Sequence, residues 1–350
     1  IKAMSSGGIF IATKFCGDGS CLTGINAGFD PDADQNLIAG TSAGAALDGT
    51  SGCYNVFLGC GAGQSTTSGQ GNIFMGCEAG KNHTTGFNNI FLGRCTGGWC
   101  TVTGCDNIAL GFSAGKKITS GNYNIFFGSQ TASNGVVTGA CNIAFGFNAG
   151  YQLANGSRNI FMGQCAGYGN TSGGYNIAFG AYAASAGTLT GAGNITLGQS
   201  AGRNLAAGSC NIYIGAESGC AHNTNSSNNV GLGKCTLQQV LTGYSNIAIG
   251  DGAGQAAGSD GTAISTNVFI GQQAGRCARS SENVFIGKEA GRCTLSEGCN
   301  IFLGKEAGYE NSTGSSSVYI GQEAGKCFVS GSHNIAIGRN AGKGSSTKIQ

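Results

Sequence analysis

Residues 283–291 read Asn283-Val284-Phe285-Ile286-Gly287-Lys288-Glu289-Ala290-Gly291, and residues 300–308 read Asn300-Ile301-Phe302-Leu303-Gly304-Lys305-Glu306-Ala307-Gly308. The two stretches share one pattern: Asn, aliphatic, any residue, large apolar, Gly, two variable residues, Ala, Gly. The leading position recurs at Asn36, Asn55, Asn72, Asn89, Asn107, Asn124, Asn142, Asn159, Asn176, Asn194, Asn211, Asn229, Asn246, Asn267, Asn283, Asn300, Ser317 and Asn334. These 18 copies are mostly 17 or 18 residues apart, with single steps of 19, 21 and 16. A repeat this regular decides the fold before any other feature.

Each position has a physical reading. The second is always Ile, Val or Leu, and the fourth is large and apolar in every copy but the first, which has Ala39. Period-two alternation puts both on one face of a short strand, and the expectation is that this face is the core. The fifth position is Gly in all 18 copies, which ends the strand and permits a positive φ or a close backbone approach. The ninth is Gly in 15, with Ala132, Ala184 and Leu237 as the exceptions, and small residues there suggest a tight corner. Asn at the head of almost every copy, stacked in register, can hydrogen-bond along a ladder of amides.

One such unit cannot fold alone. Two core residues, joined by two more from the variable half such as Ile118 or Leu153, contribute about 1.5–3 kcal/mol each. Ordering each residue costs about 1–2 kcal/mol in backbone entropy, so only stacking wins. The expected fold is all-β: a parallel β-solenoid, or β-roll, of about 18 rungs with 17–18-residue repeats. At about 4.8 Å per rung it is a rod of roughly 80 Å. Residues 36–342 form the solenoid, 1–35 an N-terminal cap or junction, and 343–350 a C-terminal tail or junction. Bare solenoid ends offer unpaired strand edges, which suits end-to-end stacking into a filament.

On this parity the third position points outward. It holds Phe57, Phe74, Phe91, Phe126, Phe161, Tyr213, Phe269, Phe285, Phe302 and Tyr319. An outward aromatic stripe marks an interface between chains; the competing reading is a two-sided core within one wide rung.

Composition agrees with a solenoid. Gly occurs 67 times and Pro once, without the Gly-X-Y period of collagen. Charged residues are 10% of the chain, against about a quarter in globular domains. A net charge of +2 without a basic block gives no reason to expect nucleic acid as partner. No apolar run reaches the roughly 20 residues of a membrane span.

The segments Asn283-Val284-Phe285-Ile286-Gly287 and Asn246-Ile247-Ala248-Ile249-Gly250, each followed by Ala-Gly, resemble the solenoid repeats of phage tail-fibre shafts and of related cyanobacterial and cyanophage surface proteins. More loosely, they are similar to the heads of trimeric autotransporter adhesins, whose period is shorter. Gly17-Asp18-Gly19-Ser20-Cys21-Leu22-Thr23 resembles a short motif common near such repeats, with Cys21 where Gly is expected. The resemblance covers about residues 16–342 and implies a left-handed β-roll, usually trimeric.

Seventeen Cys in a low-complexity chain suggest an oxidising compartment; the other reading is buried thiols acting as apolar filler. Cys60 and Cys77 share the sixth motif position on successive rungs, and Cys277 and Cys293 the eleventh. Equal position means a separation of about 4.8 Å, within the Cα–Cα range of a disulfide. Cys16 with Cys21, and Cys100 with Cys105, could close local loops. There is no CxxC pair for zinc.

Asp30, Asp32 and Asp34 alternate ahead of Asn36, a spacing at which oxygens can converge on Ca²⁺; a solvated acidic turn capping the rod is the favoured reading. No other cofactor is expected. Glu289, Glu306 and Glu323 fall at one position on three rungs, near Arg276, Arg292 and Lys326, and read as a neutralised surface ladder rather than a cation site. Asn82, Asn155, Asn170, Asn225 and Asn311 head Asn-x-Ser/Thr triplets, glycosylation acceptors if the source modifies secreted proteins. Asn194 also matches but heads a repeat and should be inaccessible. His83, His222 and His333 lie on different rungs, and no catalytic constellation is visible.

The expected function is therefore a structural subunit or shaft of an extracellular fibre, at a cell surface or on a virion, partnered by copies of itself and not an enzyme. The alternative is an adhesin or receptor-binding tail-fibre module that recognises surface glycans; Trp99, the only Trp, is its one conspicuous residue. An ice-binding solenoid would need a Thr ladder, and no position is consistently Thr.

Overall fold

The computed structural model describes residues 31–185, 187–221, 226–295, 298–312, 314–328 and 330–344. Eighteen three-residue strands, from β1 (Leu37–Ala39) and β2 (Val56–Leu58) to β18 (Ile335–Ile337), occupy positions two to four of successive repeats. Each pairs in parallel with the next, position for position: Ile73 with Ile90, Phe74 with Phe91, Met75 with Leu92. The result is one 18-stranded sheet, with no helix among the described residues. The parallel β-solenoid read from the repeat is the fold. Even the 21-residue step keeps register, with Ile247 opposite Val268. Its extra residues are accommodated around Asp260, which pairs with Arg279 at 3.3 Å.

The fifth glycine shows why it never varies. Its φ lies between +118° and +138° throughout, a conformation that L side chains rarely adopt. A Cβ on Gly180 would sit 2.6 Å from the carbonyl oxygen of Gly198 on the next rung. Two turns follow, closed in the second repeat by Ala62 N to Gly59 O and Thr66 N to Gly63 O. The ninth glycine takes φ near +57°, and a Cβ on Gly275 would meet the Phe269 ring at 2.3 Å. Leu237 can stand at this position because its rung has Gly231 where others have an aromatic ring, and the leucine is fully buried.

The leading asparagines form the ladder that their recurrence suggested. Asn142 Oδ1 accepts from both the backbone N and the Nδ2 of Asn159, while Asn142 Nδ2 donates to Asn124 Oδ1 and to the Gly156 carbonyl. At the first rung Asp32 substitutes for a preceding asparagine: its carboxylate accepts from Asn36 N and Asn36 Nδ2.

The two faces of the sheet are the reverse of the sequence expectation. Phe57, Phe74, Phe91, Phe126, Phe161, Tyr213, Phe269, Phe285, Phe302 and Tyr319 are all 0% exposed; they are core, not interface. Their rings stack along the rod, with centroids 4.9 Å apart for Phe74 and Phe91 and 4.8 Å for Phe285 and Phe302. Alternation places positions one, three and five on the same side of a strand. The buried asparagine at position one therefore carries position three inward with it. Alanine at the eighth position, as at Ala62, Ala79 and Ala290, fills the opposite side of most rungs, and Thr96, Thr131, Ser218 and Thr236 do so in the others.

In several rungs the third and twelfth positions trade volume. Phe74 and Phe161 are accompanied at the twelfth by the polar His83 and Asn170, and Ala109 and Ala144 by Ile118 and Leu153, all eight side chains being buried. The exchange conserves core volume in these rungs; Tyr319 with Phe328 and Ala248 with Ala257, also buried, depart from it.

Candidate functional site

Turning the third position inward turns the second and fourth out. All 36 of these positions are apolar, without one charged or hydrogen-bonding side chain. The middle residue of every strand from β2 to β18 is buried, and its two neighbours are half-buried or exposed. Phe127, Phe145 and Phe179 are 43%, 45% and 55% exposed. Phe127 and Phe145 already stack on one another across neighbouring rungs at 4.4 Å. The face runs along the described solenoid from Leu37 to Ile337. Three residues at about 3.3 Å by 18 rungs at about 4.8 Å give a strip of about 850 Å². Monomeric proteins rarely expose a contiguous apolar patch of more than a few hundred Å².

The remaining sequence candidates are dispersed. Cys60, Cys77, Cys100, Cys105, Cys277 and Cys293 are free thiols, as are all 15 described cysteines, so the expected bridges are absent from the structure. Equal motif position does bring Cys277 and Cys293 within reach of one another: burial first, then the Cys277 thiol, raises the Cys293 pKa. Cys16, Cys21 and Asp30 lie outside the described residues. Asp32 Oδ1 accepts from Asp34 N and Asn36 N, and Oδ2 from Asn36 Nδ2, which is the capping role of an acidic turn. No cluster of metal-ligating side chains occurs among the described residues.

Of the glycosylation candidates, Asn170 and Asn311 are fully buried and cannot be acceptors in the folded chain, because the twelfth position is a core position. Asn194 is buried in the ladder. Asn155 is exposed, Asn82 is half-buried and donates to the Trp99 carbonyl, and Asn225 lies outside the described residues. The acidic ladder is neutralised by cations of its own and neighbouring rungs. Arg292 lies 3.9 Å from Glu289, Lys326 pairs with Glu306, and Lys343 pairs with Glu323. Those lysine hydrogen bonds hold the carboxyls of Glu306 and Glu323 below the usual range. Arg276 turns instead to Gln255 at 3.3 Å.

His83 is a core residue. It packs edge-on against Phe74 and lies 3.3 Å from both Thr66 Oγ1 and Asn89 Nδ2. Both neighbours are uncharged, so nothing at these contacts offsets the burial of a charged ring. Burial pushes the imidazole down to about 3. The sign follows: between the ordinary value near 6.5 and that lowered value, the unfolded chain binds a proton that the folded chain refuses. Stability is therefore lost as pH falls through this window, by about 1.4 kcal/mol per pH unit. His83→Thr, the residue that Thr66 supplies one rung below, removes the effect. Between pH 7 and pH 4, the stability of His83→Thr relative to the parent should rise by about 3 kcal/mol in urea unfolding. A pH-independent difference would contradict a buried neutral His83.

No helix among the described residues is long and apolar enough to cross a membrane. No protein-family profile, curated protein or solved structure matches the chain.

Proposed function

We propose that the protein is the shaft of an extracellular fibre, built from copies of this chain packed side by side in parallel over the apolar sheet face. The observation that carries the reading is the unbroken run of 36 outward apolar side chains. Its area of about 850 Å² matches the roughly 800 Å² that each partner contributes to a stable interface. Apolar burial at about 25 cal/mol per Å² is the driving force. A face that repeats at every rung binds along its whole length, which suits a load-bearing rod. The extracellular placement rests on the sequence resemblance, since the described cysteines are unbridged.

The test charges the face without touching the core. Phe127→Lys, Phe145→Glu and Phe179→Lys, combined, alter side chains already about half in water, so the solenoid should keep its circular dichroism. The parent should sediment as an oligomer or filament and the triple variant as a monomer. A parent chain that stays monomeric at high concentration, or a variant that assembles as before, would overturn the proposal.

A further inference from the structure

Away from the sheet face, the tenth motif position forms a column of long side chains along one corner of the rod, among them Lys81, Lys116, Tyr151, Tyr168 and Arg203. Tyr151 and Tyr168, on adjacent rungs, stack at 4.8 Å, which confirms the column. Short residues interrupt it at Ala45, Gly98, Ser133, Ser185 and Cys220, and at Gly98, Ser133 and Ser185 a cavity opens, of about 450, 310 and 500 Å³. The two serines follow Ala132 and Ala184, two of the three departures from the ninth glycine. At Ser133 and Ser185 a break in the repeat and an opening in the surface thus coincide.

The gaps have a defined width. Tyr168 and Arg203 stand two rungs apart across Ser185, and Lys116 and Tyr151 two rungs apart across Ser133, so each slot is roughly 10 Å between backbones. Once the thickness of the flanking side chains is taken off, one ring enters. Flat walls come from Tyr168 and Tyr182 at one slot and from Tyr151 at the other, where the Lys116 ammonium lies 3.4 Å over the Trp99 ring. Hydrogen-bonding edges come from Gln152 and Arg203, and from Gln130 and Asn134. The lining residues include Lys116, Lys117 and Arg203 but no carboxylate at the two serine slots.

Few ligands fit all of this. Apolar ring faces with polar edges suit a saturated ring that carries hydroxyls on its rim. Repetition along one line suits a polymer. Three cations facing no acid suit a negative charge on it. We infer that this corner, from the rung of Ser133 to that of Ser185, binds a linear acidic glycan, a polyuronate in its simplest form, with one sugar in each serine slot. This surface is separate from the apolar sheet face, so the inference stands or falls independently of fibre assembly.

The full chain is titrated with hexagalacturonate, trigalacturonate and the neutral cellohexaose by calorimetry, with the emission of Trp99, the single Trp, as a second readout. Hexagalacturonate should bind saturably, weaken with salt, and exceed the trimer by about tenfold because it engages linked subsites. Ser133→Lys with Ser185→Arg restores the column using residue types that neighbouring rungs already carry there. This variant should assemble as the parent does and lose binding at least about tenfold. Absence of saturable binding by the uronate hexamer, or undiminished binding by the filled variant, overturns the site. Equal binding of cellohexaose overturns its acidic specificity.

Discussion

Gly180→Ala should destabilise the solenoid far more than the same change at Gly338, although both residues hold the fifth motif position with similar backbones. Their φ angles are +132° and +119°. Each alanine is therefore held in a conformation suited to glycine, at about 1–3 kcal/mol. What differs is the neighbour. A Cβ at Gly180 would lie 2.6 Å from the Gly198 carbonyl oxygen and 2.7 Å from its carbon, both backbone atoms of the next rung. At Gly338 nothing lies within 4 Å. Relief at Gly180 requires two rungs to separate, which breaks ladder hydrogen bonds and adds a cost of about 1–3 kcal/mol or more. Urea unfolding of the two variants checks the difference. Equal losses would mean that the glycine serves the turn alone and not the stacking.

Removing one amide from the asparagine ladder should have a comparable effect. In Asn142→Ala the backbone N–H of Asn159 loses its acceptor and the Gly156 carbonyl loses its donor. Both groups belong to the buried interior, and each orphan costs about 1–3 kcal/mol, so the expected loss is about 2–6 kcal/mol. The chain supplies its own comparator. Ser317 heads a repeat, its N–H donates to Asn300 Oδ1, and its hydroxyl accepts from Asn334 N at 3.3 Å. Asn142→Ser should therefore lose markedly less than Asn142→Ala. Hydrogen exchange of the Asn159 amide reports the same event locally, because its protection depends on that acceptor. An alanine variant as stable as the serine variant would remove the ladder from the account of stability.

The architecture was legible in the sequence because the repeat is one rung long and its glycines mark the corners. The sign of the sheet was not. Alternation says which residues share a face, and both faces of these strands are apolar: Ile73 and Met75 on one, Phe74 on the other. The deciding clue lay one position earlier. A stacked amide ladder works best where water is excluded, so Asn72 faces inward, and parity takes Phe74 in with it. The exchange of Phe74 with His83, and of Ala109 with Ile118, carries the same message, since only residues sharing one cavity need to compensate in volume. Disulfides were read from equal spacing, which correctly places Cys277 beside Cys293 but does not fix whether a bond forms. The corner slots were invisible because they are defined by what is missing. Ser133 and Ser185 look unremarkable until the column of Lys116, Tyr151, Tyr168 and Arg203 has been assembled around them.

The trade between the third and twelfth positions reaches beyond stability. Each repeat meets its neighbours through the same asparagine, glycine and strand registers at top and bottom. Duplication or loss of one whole repeat by unequal recombination keeps every junction of the same kind and keeps Phe74 with His83 and Ala109 with Ile118. A breakpoint within a repeat separates such partners, and the new pairing must find room as Tyr319 and Phe328 do. The gene is thereby free to lengthen or shorten the rod in increments of about 4.8 Å, with the interior itself deciding where the cuts are tolerated.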